Sequence, residues 1–163
     1  MSFRLACELS NKIAGIATVA ASMSELVYSN CKPSRKIPVM IIFGDEDPLV
    51  PFNGGEIKIL FQKRGKVVSV ESSVDFWVKF NDCNTVPEKI TVDSVDDGTK
   101  AERYFYANKD GADVVYWLIK GGGHCWPGGW QYLPKFIIGP TSGQINASDE
   151  IMKFFHNKPL SKQ

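Results

Sequence analysis

Apolar residues are concentrated in three runs: Ile13 to Ala21, Ile37 to Phe43 and residues 113–119. Each is nearly free of polar positions, the pattern of strands buried on both faces rather than one. Between and around them the period changes. Phe3, Leu5, Ala6 and Leu9 recur at three and four, predicting a helix over residues 1–11. Val70, Val74, Trp77 and Val78 form one stripe of a helix from Ser69 to Asn81, with Phe76, Trp77 and Phe80 expected in the core. Ile151, Met152, Phe154 and Phe155 mark a last helix from Ser148 to His156, with Ser148 as its N-cap. Ile90 to Tyr106 alternates around Asp96-Asp97-Gly98 and reads as a hairpin. Residues 22–36 read as a surface loop, and residues 56–66, with Lys58, Lys63, Arg64 and Lys66, as a solvated basic face. Buried strands separated by helices predict an α/β fold, one domain over residues 1–163, with a mainly parallel sheet and flanking helices.

Composition narrows the classes of function. The 163 residues carry 19 basic and 18 acidic side chains, a formal net charge of +1, so no charge excess drives binding to nucleic acid or anionic lipid. No apolar run has the length of a membrane span. The start, Met1 to Leu9, lacks the features of a secretory signal and predicts a cytoplasmic chain as written. Cys7, Cys31, Cys83 and Cys125 contain no CxxC pair, and the spacing proposes no disulfide connectivity and no structural zinc site.

The candidate chemistry lies where strands end. The apolar run 114–119 is followed by Gly121-Gly122-Gly123-His124-Cys125-Trp126-Pro127-Gly128-Gly129, which presents a histidine at a strand edge. The run ending at Phe43 delivers Gly44-Asp45-Glu46-Asp47-Pro48 to the same kind of loop. Function in open α/β sheets gathers beyond the carboxyl ends of the strands. The simpler alternatives are a glycine-rich turn whose histidine caps a backbone group and an ordinary turn aspartate. Three adjacent carboxylates are costly to bury together, so at most one is expected to point into a site. Metal-dependent hydrolysis through Asp45, Glu46, Asp47 and His124 lacks metal-site spacing, and neither metal nor cofactor is expected. Cys125 beside His124 is poorly placed as a thiol nucleophile, because neighbouring residues in extended chain point opposite ways.

The ordered set Ser2 to Leu9, Pro38-Val39 through Gly44, Asp47-Pro48-Leu49-Val50-Pro51, Asn53-Gly54-Gly55, Phe76-Trp77, Gly121-Gly122-Gly123-His124 with Trp126-Pro127-Gly128-Gly129, and Ile145 to Phe155 resembles the C-terminal half of α/β-hydrolases of the polyhydroxybutyrate depolymerase and feruloyl esterase group. The resemblance implies a partial α/β-hydrolase fold with its N-terminal strands missing. It implies that Asp47 and His124 are the aspartate and histidine of a Ser-Asp-His triad, in the chain order of that fold. No Gly-x-Ser-x-Gly occurs in the chain, and Ser2, expected inside a helix, does not replace it. The family often has a cysteine in the segment matching Tyr104 to Asn108, where this chain has none, leaving Cys83 without that partner.

Two expectations follow. One is a carboxylic-ester hydrolase chain, for a small ester or polyester, inactive alone for want of the serine, with Phe52, Trp126 and Trp130 lining a substrate pocket. The other is a non-catalytic interaction protein whose exposed sheet edge pairs with itself or with a complementary N-terminal half. Members of the resembled family are often secreted, in tension with the missing signal. Asn146-Ala147-Ser148 has the form of a glycosylation sequon.

Overall fold

In the computed structural model, residues 1–59 and 62–156 are described, with the side chains of Lys58 and Ile59 excepted. Helix α1 (Ser2–Glu8) leads into strand β1 (Ile16–Val19), helix α2 (Glu25–Asn30) and strand β2 (Val39–Gly44). A hairpin of β3 (Gly55–Ile59) and β4 (Gln62–Val67) precedes α3 (Val70–Phe80). Then come β5 (Glu88–Val92), β6 (Lys100–Tyr106), β7 (Val114–Lys120), the short helix α4 (Lys135–Ile138) and α5 (Ala147–His156).

The main sheet has the order β1-β2-β7-β6-β5. Its β1, β2 and β7 are parallel, whereas β6 runs antiparallel to β7 and β5 antiparallel to β6. The sheet is therefore mixed rather than mainly parallel. The hairpin expected over residues 90–106 is present as β5 and β6, but its docking edge lies on β7. Alternation reports which face of a strand is buried, not which neighbour the strand takes.

Both faces of the parallel part are covered, which is why its strands read as unbroken apolar runs. On one face Val39, Ile41, Phe43, Val114, Tyr116 and Leu118 pack with Trp77, Val70 and Val74 of α3 and with Phe3 and Ala6 of α1. On the other, Met40, Ile42, Val115, Trp117 and Ile119 meet Ala147 and Phe154 of α5. Strand side chains alternate between these two cores with period two. Trp77 is fully buried, and Phe76 and Phe80 pack beside it. Asn81 ties the two central strands at their start, its Nδ2 donating at 2.8 Å to the carbonyls of both Ile37 and Ala112.

Several local expectations are corrected. The stretch read as a loop over 22–36 contains α2, capped by Ser24, whose side chain accepts from the Val27 amide at 3.2 Å. It has no buried residue, so no apolar stripe announced it. Residues 56–59 and 62–66 belong to strands β3 and β4, where Lys63, Arg64 and Lys66 are exposed as expected, while the side chain of Lys58 lies outside the described residues. The cap of α5 is Asn146, not Ser148: Asn146 Oδ1 accepts from the amides of Ser148 and Asp149 at 3.0 and 3.2 Å. Cys7 and Cys31 form a disulfide that ties α1 to the end of α2, while Cys83 and Cys125 are free and buried.

Candidate active site

The register of β2 on β7 builds the site. Phe43 lies opposite Leu118 and Gly44 opposite Ile119 in a parallel pair, so the loops after both strands leave the sheet side by side. Asp47 comes three residues after Gly44 and His124 five after Ile119. Backbone bonds hold the loop after β2 to the end of β7 and to the loop beyond it, Asp45 N to Ile119 O at 3.1 Å and Glu46 N to Gly122 O at 3.0 Å.

Of the three neighbouring carboxylates, one reaches the histidine. Asp47 Oδ2 lies 2.8 Å from His124 Nδ1, and its side chain is fully buried while that of the histidine is 29% exposed. The other oxygen, Oδ1, accepts from the amides of Leu49 and Val50, each at 2.8 Å. A buried carboxylate needs such donors, and here its own loop supplies them. With Asp47 ionised, Nδ1 carries the proton and donates it, leaving Nε2 as the nitrogen available for proton transfer. Asp45 turns instead to Gly121, accepting its amide at 2.7 Å with Lys120 Nζ at 3.6 Å, and Glu46 is exposed.

The glycines act through backbone geometry. Gly121 adopts φ +70°, the left-handed turn by which the chain leaves β7. Gly123 faces the backbone of Ile138 and Gly139 so closely that a Cβ on it would overlap them. The same contact carries His124 N to Ile138 O at 2.5 Å and Gly123 N to Pro140 O at 2.9 Å. Thus the segment around α4 clamps the histidine loop from outside the sheet. Tyr132 Oη adds a bond to the His124 carbonyl at 3.1 Å. These supports were not anticipated; the signal available was Gly139 directly after the run Lys135-Phe136-Ile137-Ile138, a helix stop.

The other singled-out residues lie as follows. Cys125 is buried with its sulfur 3.6 Å from the Gly139 carbonyl, turned into the protein. Phe52 is half-buried against Phe43, ring centroids 6.2 Å apart. Trp126 is 45% exposed and donates from Nε1 to Ser148 Oγ at 3.1 Å, and Trp130 is 89% exposed. Phe136 stands out in solvent with them. Among the described residues, no three His, Cys, Asp or Glu side chains converge as metal ligands.

A buried carboxylate orienting a half-exposed imidazole at the carboxyl ends of adjacent parallel strands is an arrangement for acid–base catalysis. No protein-family profile matches the chain. The chain is similar to two esterases. It is 31% identical over 163 residues to Putative esterase NocK of Nocardia uniformis subsp. tsuyamanensis, a match covering 94% of this chain and 47% of that protein. It is 28% identical over 143 residues to Feruloyl esterase B of Piromyces equi, covering 85% of this chain and 26% of that one. The chain thus spans about half the length of the first relative and a quarter of the second. These relatives support an esterase-type family, and the mixed sheet with flanking helices is compatible with an α/β fold. No helix among the described residues is long and apolar enough to cross a membrane.

Proposed function

We propose that the chain carries the Asp and His of a serine carboxylic-ester hydrolase of α/β-hydrolase type, Asp47 orienting His124 as the general base. The observation that carries this reading is the 2.8 Å contact between His124 Nδ1 and a fully buried Asp47 whose second oxygen is held by two amides. In such chemistry Nε2 takes the proton of a serine hydroxyl as it attacks the ester carbonyl and returns it to the leaving alcohol, while the carboxylate stabilises the imidazolium. The 163 residues contain no Gly-x-Ser-x-Gly, so the nucleophile and its oxyanion donors come from outside them, and the chain alone does not turn over ester. Trp126, Trp130 and Phe52 are the aromatic candidates for contact with a small, feruloyl-type or polyester substrate. The Cys7–Cys31 disulfide favours maturation in an oxidising compartment over the cytoplasm.

A second reading has one observation in its favour. Strand β1 is an outer edge of the main sheet, four residues long and all apolar but Thr18, and such an edge can accept a strand from a second chain or a complementary N-terminal half. It is compatible with the first, since the incoming half would bring the serine.

The test is hydrolysis of p-nitrophenyl acetate by the purified chain, by its His124→Ala variant, and by the chain joined to the part of NocK that lies outside the matched region. The chain alone should not exceed its His124→Ala variant. The joined protein should hydrolyse the ester and lose at least about 10⁴-fold in kcat on His124→Ala. Turnover by the chain alone that depends on His124 would reveal a nucleophile within it and overturn the serine-less reading. Activity of the joined protein that survives His124→Ala would overturn the assignment of the base.

A further inference from the structure

His124 stands in a stretch whose two sides hang on one segment. Before it, Gly123 N donates to Pro140 O at 2.9 Å, and after it Gly128 N donates to Ser142 O at 2.7 Å. Residues 140–144 belong to no helix or strand, so these two bonds are only as firm as whatever holds that segment. Its holder is the turn between β5 and β6, where Asp97 lies 46 residues before Gly143 in the chain.

Asp97 is half-buried and accepts at both oxygens. Oδ2 takes the Gly143 amide at 2.6 Å, and Oδ1 takes the Thr99 amide at 2.8 Å and the Thr99 hydroxyl at 2.6 Å. Thr99 Oγ1 also lies 2.7 Å from Ser142 Oγ. Gln144 closes the cluster. Its Oε1 accepts from the Ser94 and Val95 amides at 2.8 and 3.2 Å, and its Nε2 donates to the carbonyls of Val95 at 2.5 Å and Thr99 at 2.8 Å. Thr99, Ser142 and Gln144 are all buried, and a buried polar network whose members are satisfied rigidifies what it joins. The turn also meets the histidine loop directly, since a Cβ on Gly121 would lie 2.8 Å from the Gly98 carbonyl oxygen.

We propose that Asp97 is a positioning residue for His124, fixing the 140–144 segment from which both sides of the histidine loop hang. Asp97 makes no bond to His124 itself; its effect passes through Thr99 and Ser142 to Gly128, and through Gly143 and Pro140 to Gly123. Without the carboxylate, the Gly143 amide and the Thr99–Ser142 pair lose their common acceptor, and the loop samples arrangements in which Nδ1 leaves Asp47. The catalytic consequence rests on the reading of His124 as the base, whereas the mechanical link is a property of the chain alone.

The experiment follows the His124 Nδ1–H resonance and amide hydrogen exchange by NMR in the chain, in Asp97→Ala and Asp97→Asn, and in Cys7→Ser with Cys31→Ser, which loses its stability away from the loop. Asp97→Ala should speed exchange at Gly123 and Gly128 at least ~10-fold and broaden or abolish the Nδ1–H signal, while Ile41 in β2 changes no more than in the cysteine variant. Asp97→Asn keeps the shape and one acceptor and should fall between the parent and Asp97→Ala. Should Asp97→Ala not fold, Ser142→Ala keeps the carbonyl bonded to Gly128, removes only the hydroxyl, and should speed Gly128 exchange about 3-fold or more. An unchanged Nδ1–H signal and unchanged exchange in folded Asp97→Ala, or in Asp97→Asn and Ser142→Ala if it does not fold, would overturn the proposal. So would the same local changes in the cysteine variant. In the joined protein, Asp97→Ala should lower kcat about 10-fold with KM within about 2-fold. Joined-protein activity that survives His124→Ala refutes the base and not the positioning, which the NMR result decides.

Discussion

Replacing Asp47 separates the two jobs its carboxylate performs. One oxygen holds the loop through the Leu49 and Val50 amides and the other holds His124, three contacts at 2.8 Å around a fully buried side chain. Hydrogen bonds to a charged group contribute about 1.5–3 kcal/mol each, but removing the acid also removes the cost of burying it, so Asp47→Ala should cost about 2–4 kcal/mol. Asp47→Asn keeps a neutral oxygen for the two amides and should cost only about 1 kcal/mol. With a urea slope near 2 kcal/mol per molar, the midpoint should fall by about 1–2 M for alanine and about 0.5 M for asparagine, read by tryptophan fluorescence. Both variants should lose the downfield Nδ1–H proton resonance of His124, because neither offers a carboxylate. Equal midpoint shifts for alanine and asparagine would refute the claim that Oδ1 organises the loop. A retained downfield proton in either variant would refute the pairing with His124.

Other outcomes follow from the same geometry. Cys7→Ser with Cys31→Ser opens a link between residues 24 apart in sequence and should lower stability by about 3.5 kcal/mol on the loop-entropy estimate, measured by urea unfolding; no loss would show that the disulfide does not constrain the unfolded chain. Burial pushes the Cys83 thiol pKa up to about 11, so at pH near 8 a thiol reagent should leave it unlabelled in the native chain and label it in denaturant; rapid native labelling, located by mass spectrometry, would contradict its burial. Burial alone would raise the Asp97 pKa, but bonds from Thr99 Oγ1 and the Gly143 amide, both at 2.6 Å, and from the Thr99 amide at 2.8 Å outweigh it and hold it low. A lowered folded-state pKa gives stability that is present above the unfolded value of about 3.9 and is lost as pH falls through the folded one. Thermal melts at pH 5 and 3 should therefore show a smaller acid-induced drop in Tm for Asp97→Asn than for the parent, and identical drops would contradict this.

The elements legible in the sequence are those whose signal is local. Strands β2 and β7 are continuous apolar runs because both their faces are covered, and α3 shows its stripe from Val70 to Val78 with Ser69 capping it. What depends on a distant partner was not legible. Helix α2 buries no residue, so periodicity had nothing to detect, although Ser24 followed by Glu25 was an available cap signal. The Cys7–Cys31 link arises because α1 and α2 pack together, a fact about tertiary structure that the spacing does not contain. Ser148 and Asn146 are both good caps two residues apart, and only the geometry selects Asn146. For the site, the strand ends located the two loops, but choosing Asp47 over Asp45 and Glu46 rested on the family resemblance. The β2–β7 register then brings Asp47 to His124, while Asp45 is engaged by Gly121.

The backbone contact between Gly123 and Gly139 divides the surroundings of His124 by their tolerance of change. Any side chain at Gly123 would displace the Ile138–Gly139 backbone to which the histidine loop is bonded, so these positions vary together or not at all. Trp130 and Phe136, 89% and 86% exposed, lie in the stretch between the two glycines and make few demands on the core. A lineage, or a mutagenesis library, can therefore rewrite the aromatic surface beside the site while the aspartate–histidine pair keeps its geometry. Mutational freedom here is high at exposed positions such as Trp130 and Phe136 and close to nil at Gly123 and Gly139.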